Sequence, residues 1–303
     1  MIRTGAALLA LVVVLALGAC GDGPPSAESA GASAPTIRIG TKNFTEQYLL
    51  GELYAQALTA EGFRVALKPD LGSSEIVHRA LAGGALDMYP EYVGVLLSEI
   101  AGVRERPADP RAAERLARRY EESRGLALLR TTPFSDANAL AVTRRDARRR
   151  RLRTIADLTR VPGGARIGAP PEFATRFEGL LGLAEVYGLE DAQVTMLPIG
   201  EQYAALDEDR VDAAAIFTTD GRLADERYLV LDDPRGVFAE QHAAPLVRRQ
   251  VLRIHGPRLA ATLDAVSGRL TTPAMREMNA AVDLRGEEPR VVADRFLRAN
   301  RLK

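Results

Sequence analysis

The chain predicts an α/β fold in which helices pack against largely parallel sheets. Short runs that alternate apolar and polar residues and stop at glycine, such as Thr36-Ile37-Arg38-Ile39-Gly40, read as strands. Runs with apolar residues at helical spacing follow them, and repeated strand–helix units of this kind indicate a layered α/β structure. A second set of such units starts near residue 165, so the 303 residues are enough for two domains of ordinary size.

The elements follow in order. Thr45 is a good N-cap with Glu46 in the first turn, and Leu49, Leu50, Leu53, Tyr54, Ala57 and Leu58 recur at helical spacing until Gly62. Residues 63–67 read as a strand. Ser74 caps a helix ended by Gly83-Gly84, and 86–89 form a strand closed by Pro90. Helices are predicted over 92–100 and 110–124, and strands over 127–130 and 139–143. The second set has strands at 165–168, 194–197, 212–217 and 228–231. Its helices cover 172–187, stopped by Gly188, and 201–206. From Pro257 to Asn300 the pattern is mainly helical. No internal repeat is evident in the sequence.

The first 35 residues have a different character. Arg3 precedes an apolar core over 6–17, too short for a permanent membrane span, which ends in Leu17-Gly18-Ala19-Cys20. A signal ending in small residues and cysteine resembles a bacterial lipoprotein box. The resemblance implies a signal peptide over 1–19 and lipidation of Cys20, the only cysteine. A plain signal peptide with an incidental cysteine is the other reading. Residues 21–35 are small, polar and rich in Pro and Gly, as in a flexible linker.

Lys and Arg together number 40, as do Asp and Glu, so net charge points to neither nucleic acid nor an acidic partner. The basic run over 144–151 reads as a solvated surface turn, with anionic lipid as the alternative. The three histidines, His78, His242 and His255, lie far apart and make no metal-spaced pair. Neither His-Glu-x-x-His, Gly-x-Ser-x-Gly nor a phosphate-binding glycine loop occurs. Glu46, Asp87, Glu91 and Asp220 are present, but nothing in the sequence pairs two of them for acid–base work. The chain therefore reads as a non-enzyme that needs no cofactor.

Ligands of open α/β sheets bind beyond the carboxyl ends of strands. The loops there carry Thr41-Lys42-Asn43-Phe44-Thr45-Glu46, Tyr89-Pro90-Glu91-Tyr92, Pro171-Glu172-Phe173-Ala174-Thr175-Arg176 and Phe217-Thr218-Thr219-Asp220-Gly221. With Leu71-Gly72-Ser73-Ser74 and Met275-Arg276-Glu277-Met278-Asn279, they resemble, in order, the substrate-binding lipoproteins of ABC importers for osmoprotectants such as glycine betaine, choline, carnitine and proline betaine. The resemblance implies a bilobal, periplasmic-binding-protein-like α/β fold (type II) with a two-stranded hinge. Lobe 1 would hold 36–138 plus 244–303 and lobe 2 139–243, with crossings near 139–143 and 244–248. The chain would be a monomer, tethered outside the cytoplasmic membrane, that delivers a betaine-like solute to an ABC permease and its ATPase. A sensor or other non-transport lipoprotein, or a tethered enzyme, on the same fold is the alternative.

The resemblance also assigns a site of Lys42, Phe44, Tyr92, Asn138, Glu172, Arg176 and Phe217. Tyr92 matches a cage tyrosine, and Phe217 stands where another is usual. Lys42 and Arg176 match positions that hold a ligand carboxylate. A quaternary ammonium donates no hydrogen bond, so aromatic faces must hold it, each worth about 0.5–2 kcal/mol. A carboxylate wants Arg or Lys. Plain structural readings stay open. Tyr92 packs at a helix start, Arg176 pairs with Glu172 one turn earlier, Phe217 is core and Lys42 is solvated. Tyr187 and Tyr203 read as packing or surface residues. Asn138 stands where many members carry an aromatic, Val95 replaces a small polar residue, and there is no Trp. This thinner cage predicts weak affinity for glycine betaine or a different ligand. The pair Lys42 and Arg176 favours a zwitterion over choline.

Overall fold

The computed structural model describes residues 35–303, apart from 104–106, 108 and 225. The signal, Cys20 and the linker up to residue 34 lie outside the described residues. The first stretch contains β1 (Ile37–Gly40), α1 (Thr45–Ala60), β2 (Val65–Lys68), α2 (Ser74–Ala82) and β3 (Met88–Tyr92). It continues through α3 (Val93–Val95), a π turn, α4 (Pro110–Glu122) and β4 (Leu126–Leu128). Next come β5 (Asn138–Thr143), α5 (Arg144–Arg150), β6 (Arg166–Ala169), α6 (Gly182–Tyr187) and β7 (Gln193–Met196). They are followed by α7 (Gln202–Asp207), β8 (Ala213–Phe217) and β9 (Tyr228–Val230). The chain ends with β10 (Ala243–Arg248), α8 (Arg249–His255), α9 (Pro257–Ser267), α10 (Thr272–Asp283) and α11 (Pro289–Ala299).

Two five-stranded sheets result, in the orders β2-β1-β3-β10-β4 and β7-β6-β8-β5-β9. In the first, β1 runs parallel to β2 and β3, while β10 is antiparallel to β3 and β4. In the second, β6 runs parallel to β7 and β8, while β5 is antiparallel to β8 and β9. Each sheet is covered on both faces, as parallel strands require. Ile37 and Ile39 pack with Leu49, Leu50 and Leu53 of α1 and Leu263 of α9, and Leu81, Tyr89 and Leu96 form the opposite layer. The second sheet lies between Leu140, Ile167 and Leu183 on one side and Ala141, Leu206 and Ile216 on the other.

The two sheets share one topology, although no repeat is evident in the sequence. β1 and β6 carry Arg-Ile-Gly, at 38–40 and at 166–168, and the central strand beside each, β3 or β8, is preceded by an aspartate, Asp87 or Asp212. In the first lobe Arg38 donates to Asp87 from its backbone N (2.9 Å), Nε (2.8 Å) and a terminal guanidinium nitrogen (2.8 Å). Arg166 repeats this on Asp212 at 2.9, 3.0 and 3.2 Å. Burial pushes the Asp87 carboxyl up, but the bonds and charge of Arg38 outweigh it and hold the group below the usual range. So few shared residues leave no periodic signal in sequence.

The lobes are joined by two crossings, one between β4 and β5 and the other between β9 and β10. The crossings pair as a short antiparallel ladder with a bridge between Ser135 and His242, where the Asp136 N–H donates to the Gln241 carbonyl at 2.9 Å. Residues 139–143 and 244–248 lie within β5 and β10, just beyond this ladder.

Several elements differ from the sequence reading. Pro90 does not close β3, which runs on to Tyr92. Pro90 faces Pro245 across β10 and lies past the point where β1 pairs, so its missing N–H breaks no ladder bond. The helix predicted over 172–187 is broken. A 3-10 turn at Pro171–Ala174 gives way to an extended Arg176 (φ −93°, ψ 151°), and regular helix resumes only at α6. The run 144–151 forms α5 rather than a turn. The Thr143 hydroxyl accepts the Asp146 N–H at 3.1 Å, and Arg151 ends the helix in a left-handed conformation. Neither Thr45 nor Ser74 is a cap, since each is the first helical residue after Phe44 or Ser73.

Candidate functional site

The carboxyl ends of the parallel strands in both sheets face one inter-lobe cleft. β1 delivers Lys42 and Phe44, β3 delivers Tyr92, the loop after β6 delivers Glu172 and Arg176, and β8 delivers Phe217. Asn138 opens β5, opposite Phe217. These seven predicted residues line a single cavity of about 80 Å³. They do so with Ser74, Asp136, Glu178 and Gln241, which the sequence reading did not select.

Three rings form a near-parallel row. The Phe44 and Phe217 centroids are 5.5 Å apart with planes 17° apart, and those of Phe44 and Tyr92 are 6.4 Å and 19° apart. Phe44 can face the cleft because it is the extended residue just before α1 (φ −151°, ψ 161°). Its ring is therefore not laid along the helix. Tyr92 is buried and donates its hydroxyl to Glu46 Oε1 at 2.8 Å.

Lys42 is 4 % exposed and therefore not a solvated lysine. Its Nζ lies 2.6 Å from Glu91 Oε1, 3.2 Å from Ser74 Oγ and 4.2 Å from the centre of the Tyr92 ring. Burial drives the ammonium below its ordinary pKa despite the opposing pull of Glu91. Glu91 also accepts the Tyr92 N–H (2.8 Å) and the Tyr89 hydroxyl (3.2 Å).

Arg176 does not form its ion pair with Glu172, because residues 172–176 make no continuous helix. It reaches across the cleft to α2 and the π turn, where it meets Glu75 Oε1 at 2.9 Å and Glu99 Oε2 at 3.4 Å. Burial opposes its charge, yet Glu75, Glu99 and Glu172 hold it above its ordinary pKa. The Glu75 carboxyl is pushed up by burial, but Ser73, its own backbone N–H and Arg176 bring it down to about 2. The Arg176 Nε–H is the group that faces Glu99, at 3.4 Å, and it is buried without a hydrogen bond of good geometry.

A larger cavity of about 390 Å³ adjoins the first, and Phe44 and Phe217 belong to the walls of both. It brings together Glu46, Asp136, Asp220 and Asp283, which are far apart in sequence. Burial raises the Glu46 and Asp136 carboxyls above the usual range, and the charge of Glu46 adds to the shift at Asp136. Burial likewise lifts Asp220 to about 7, although it accepts the Phe217 N–H (3.1 Å) and the Tyr203 hydroxyl (2.9 Å). Tyr203 also lines this cavity while packing on Tyr228, whereas the Tyr187 hydroxyl is bonded to Asp233 at 2.5 Å.

The lobes touch beside the cavities. Asn279 on α10 donates to the Thr219 carbonyl at 2.9 Å, and Arg276 donates to that of Thr218 at 2.8 Å. Gly221 passes so close to α10 that a Cβ there would lie 2.4 Å from Ala280 Cα.

Two α/β lobes, a paired crossing and a cleft at the strand ends define the architecture, and comparison with known proteins gives the family. The profile described as the substrate binding domain of ABC-type glycine betaine transport systems matches residues 35–299. The chain belongs to that family. Among curated relatives it is 36 % identical over 282 residues to the glycine-betaine-binding protein of Pseudomonas aeruginosa, covering 89 % of this chain and 90 % of the relative. It is 29 % identical to the glycine betaine-binding protein YehZ of Escherichia coli, covering 88 % and 91 %. Among solved structures it is similar to one described as a glycine betaine/carnitine/choline ABC transporter, with 26 % identity, a TM-score of 0.71 and coverage of 88 % and 99 %. The protein is thus a bilobal, periplasmic-binding-protein-like substrate-binding domain of an ABC importer. No described helix is long and apolar enough to cross a membrane.

Proposed function

We propose that this substrate-binding domain takes a betaine-type zwitterion in the smaller inter-lobe cavity and delivers it to a membrane permease driven by an ATPase. The observation that carries the reading is the meeting of an aromatic row with two cations, the buried Lys42 and the partly buried Arg176, in one cavity. Tyr92, Phe44 and Phe217 present faces to a cation, and the Arg176 guanidinium, paired at only moderate distance with Glu99, can turn to an entering carboxylate. Lys42, already bonded to Glu91 and Ser74, contributes a third N–H to the ligand carboxylate. Asn138 and Glu172 complete the wall. The names of the relatives support glycine betaine chemistry, and the thin cage puts glycine betaine itself among the weaker ligands.

The lobe boundaries belong to the same proposal. Lobe 1 comprises 36–138 plus 244–303 and lobe 2 comprises 139–243, and they close as a hinge on the ligand. The protein acts as a monomer, exported by the signal over 1–19 and held by a lipid on Cys20 with residues 20–35 as tether. Binding and delivery need neither catalysis nor a cofactor. Calorimetric titration with glycine betaine, proline betaine, carnitine and choline tests the ligand reading. Saturable binding of a zwitterion, lost in Arg176→Ala and Tyr92→Ala, supports it. Choline binding more tightly than every zwitterion refutes it.

A further inference from the structure

The larger cavity, about 390 Å³, adjoins the smaller one and has a lining of different chemistry. We infer that it is a second subsite of the same cleft, which takes an organic cation carrying N–H donors, such as a primary ammonium or guanidinium on an aliphatic chain. This rests on reading the cleft as the solute site, and it extends the ligand class beyond compact betaines.

Four carboxyl groups converge on the cavity from separate parts of the chain. Glu46 comes from α1, Asp136 from the crossing, Asp220 from the turn after β8, and Asp283 from the end of α10 at the exposed rim. Among the described residues Arg222 is the one Lys or Arg on the wall, and Lys42 acts on Glu46 and Asp136 from the neighbouring cavity. Like charges crowded together out of water disfavour ionisation, and an entering cation restores it.

A second observation identifies the kind of cation. Asn279, 4 % exposed, sits on the same wall and uses its amide N–H groups on Glu46 Oε2 (3.1 Å) and the Thr219 carbonyl (2.9 Å). Because both neighbours are acceptors, the amide orientation is fixed. Its Oδ1 is then a buried acceptor with no hydrogen-bond partner among the described residues. A buried acceptor among carboxylates requires a donor, which a quaternary ammonium cannot supply. Phe44, Phe217 and Tyr203 provide apolar surface for the carbon chain.

The test is calorimetric titration of the protein with putrescine and with its bis-trimethylammonium counterpart, equal in charge and chain length. The subsite predicts saturable putrescine binding at least tenfold tighter than that of the permethylated diamine. It also predicts at least fivefold weakening in Asp283→Asn, at the rim where folding is least at risk, and in Asp220→Asn. No putrescine binding at millimolar concentration, equal binding of the two diamines, or unchanged affinity in both variants overturns the inference. Glycine betaine is titrated in parallel. Betaine binding with no response to putrescine removes only the subsite, whereas putrescine binding without any zwitterion binding removes the betaine reading and leaves the subsite.

Discussion

Replacing Lys42 by methionine isolates the buried ion pair beneath the aromatic row. Lys42 Nζ lies 2.6 Å from Glu91, and both side chains are almost wholly excluded from water. Methionine keeps most of the volume, so little of the effect is packing. What changes is that Glu91 loses its counter-charge. Removing one member of a buried pair costs about 3–5 kcal/mol, because the remaining charge stays desolvated. Here the Tyr92 N–H and the Tyr89 hydroxyl still donate to Glu91, which places the cost near the low end, at about 3 kcal/mol. Urea unfolding at pH 7 measures it as a shift in midpoint at constant slope. The double variant Lys42→Met with Glu91→Gln should recover at least about 1.5 kcal/mol of the single-variant loss, within the range of coupling between contacting residues. A cost below about 1 kcal/mol, or no recovery in the double variant, would refute the reasoning.

Three further outcomes follow from the same geometry. Gly221→Val should destabilise the closed arrangement by about 1–3 kcal/mol, because its side chain would strike Ala280 on α10; X-ray scattering should show a larger radius of gyration. Asp220, lifted to about 7 by burial, favours its protonated form when folded, so its contribution to stability should fall as pH rises from about 4 to 7. Thermal melts across that range should be flatter in Asp220→Asn, and identical slopes would contradict the assignment. Leu50→Ala, in the core between α1 and the first sheet, should cost about 2–5 kcal/mol in urea unfolding.

What the sequence revealed was local. The loops at 41–46, 89–92, 171–176 and 217–221 stand out because short motifs follow strand ends, and the structure brings their chosen residues to one cavity. Partners distant in sequence were not legible. Arg176 has a plausible acid at i−4, yet the break at 175–176 turns it toward Glu75, 101 positions away. Asn279 reaches the cleft only because α10 packs beneath the turn at Gly221, and Asp136 and Gln241 because the two crossings pair. The acid cluster of the larger cavity likewise exists only after the lobes meet. The duplicated lobe architecture left too few matching residues to register as a repeat. Pro90 misled because a proline normally ends a strand, and here it lies past the point where β1 pairs, so no ladder bond needs its N–H.

The central claim is that the smaller cavity holds a betaine-type zwitterion between the aromatic row and Arg176. Calorimetric titration of wild type, Tyr92→Ala and Arg176→Ala with proline betaine, carnitine and glycine betaine tests it most directly. Wild type should bind at least one zwitterion one-to-one, with glycine betaine among the weaker ligands, and each variant should lose tenfold or more. Zwitterion binding that survives both substitutions, or a wild-type protein silent to all three ligands, would contradict it.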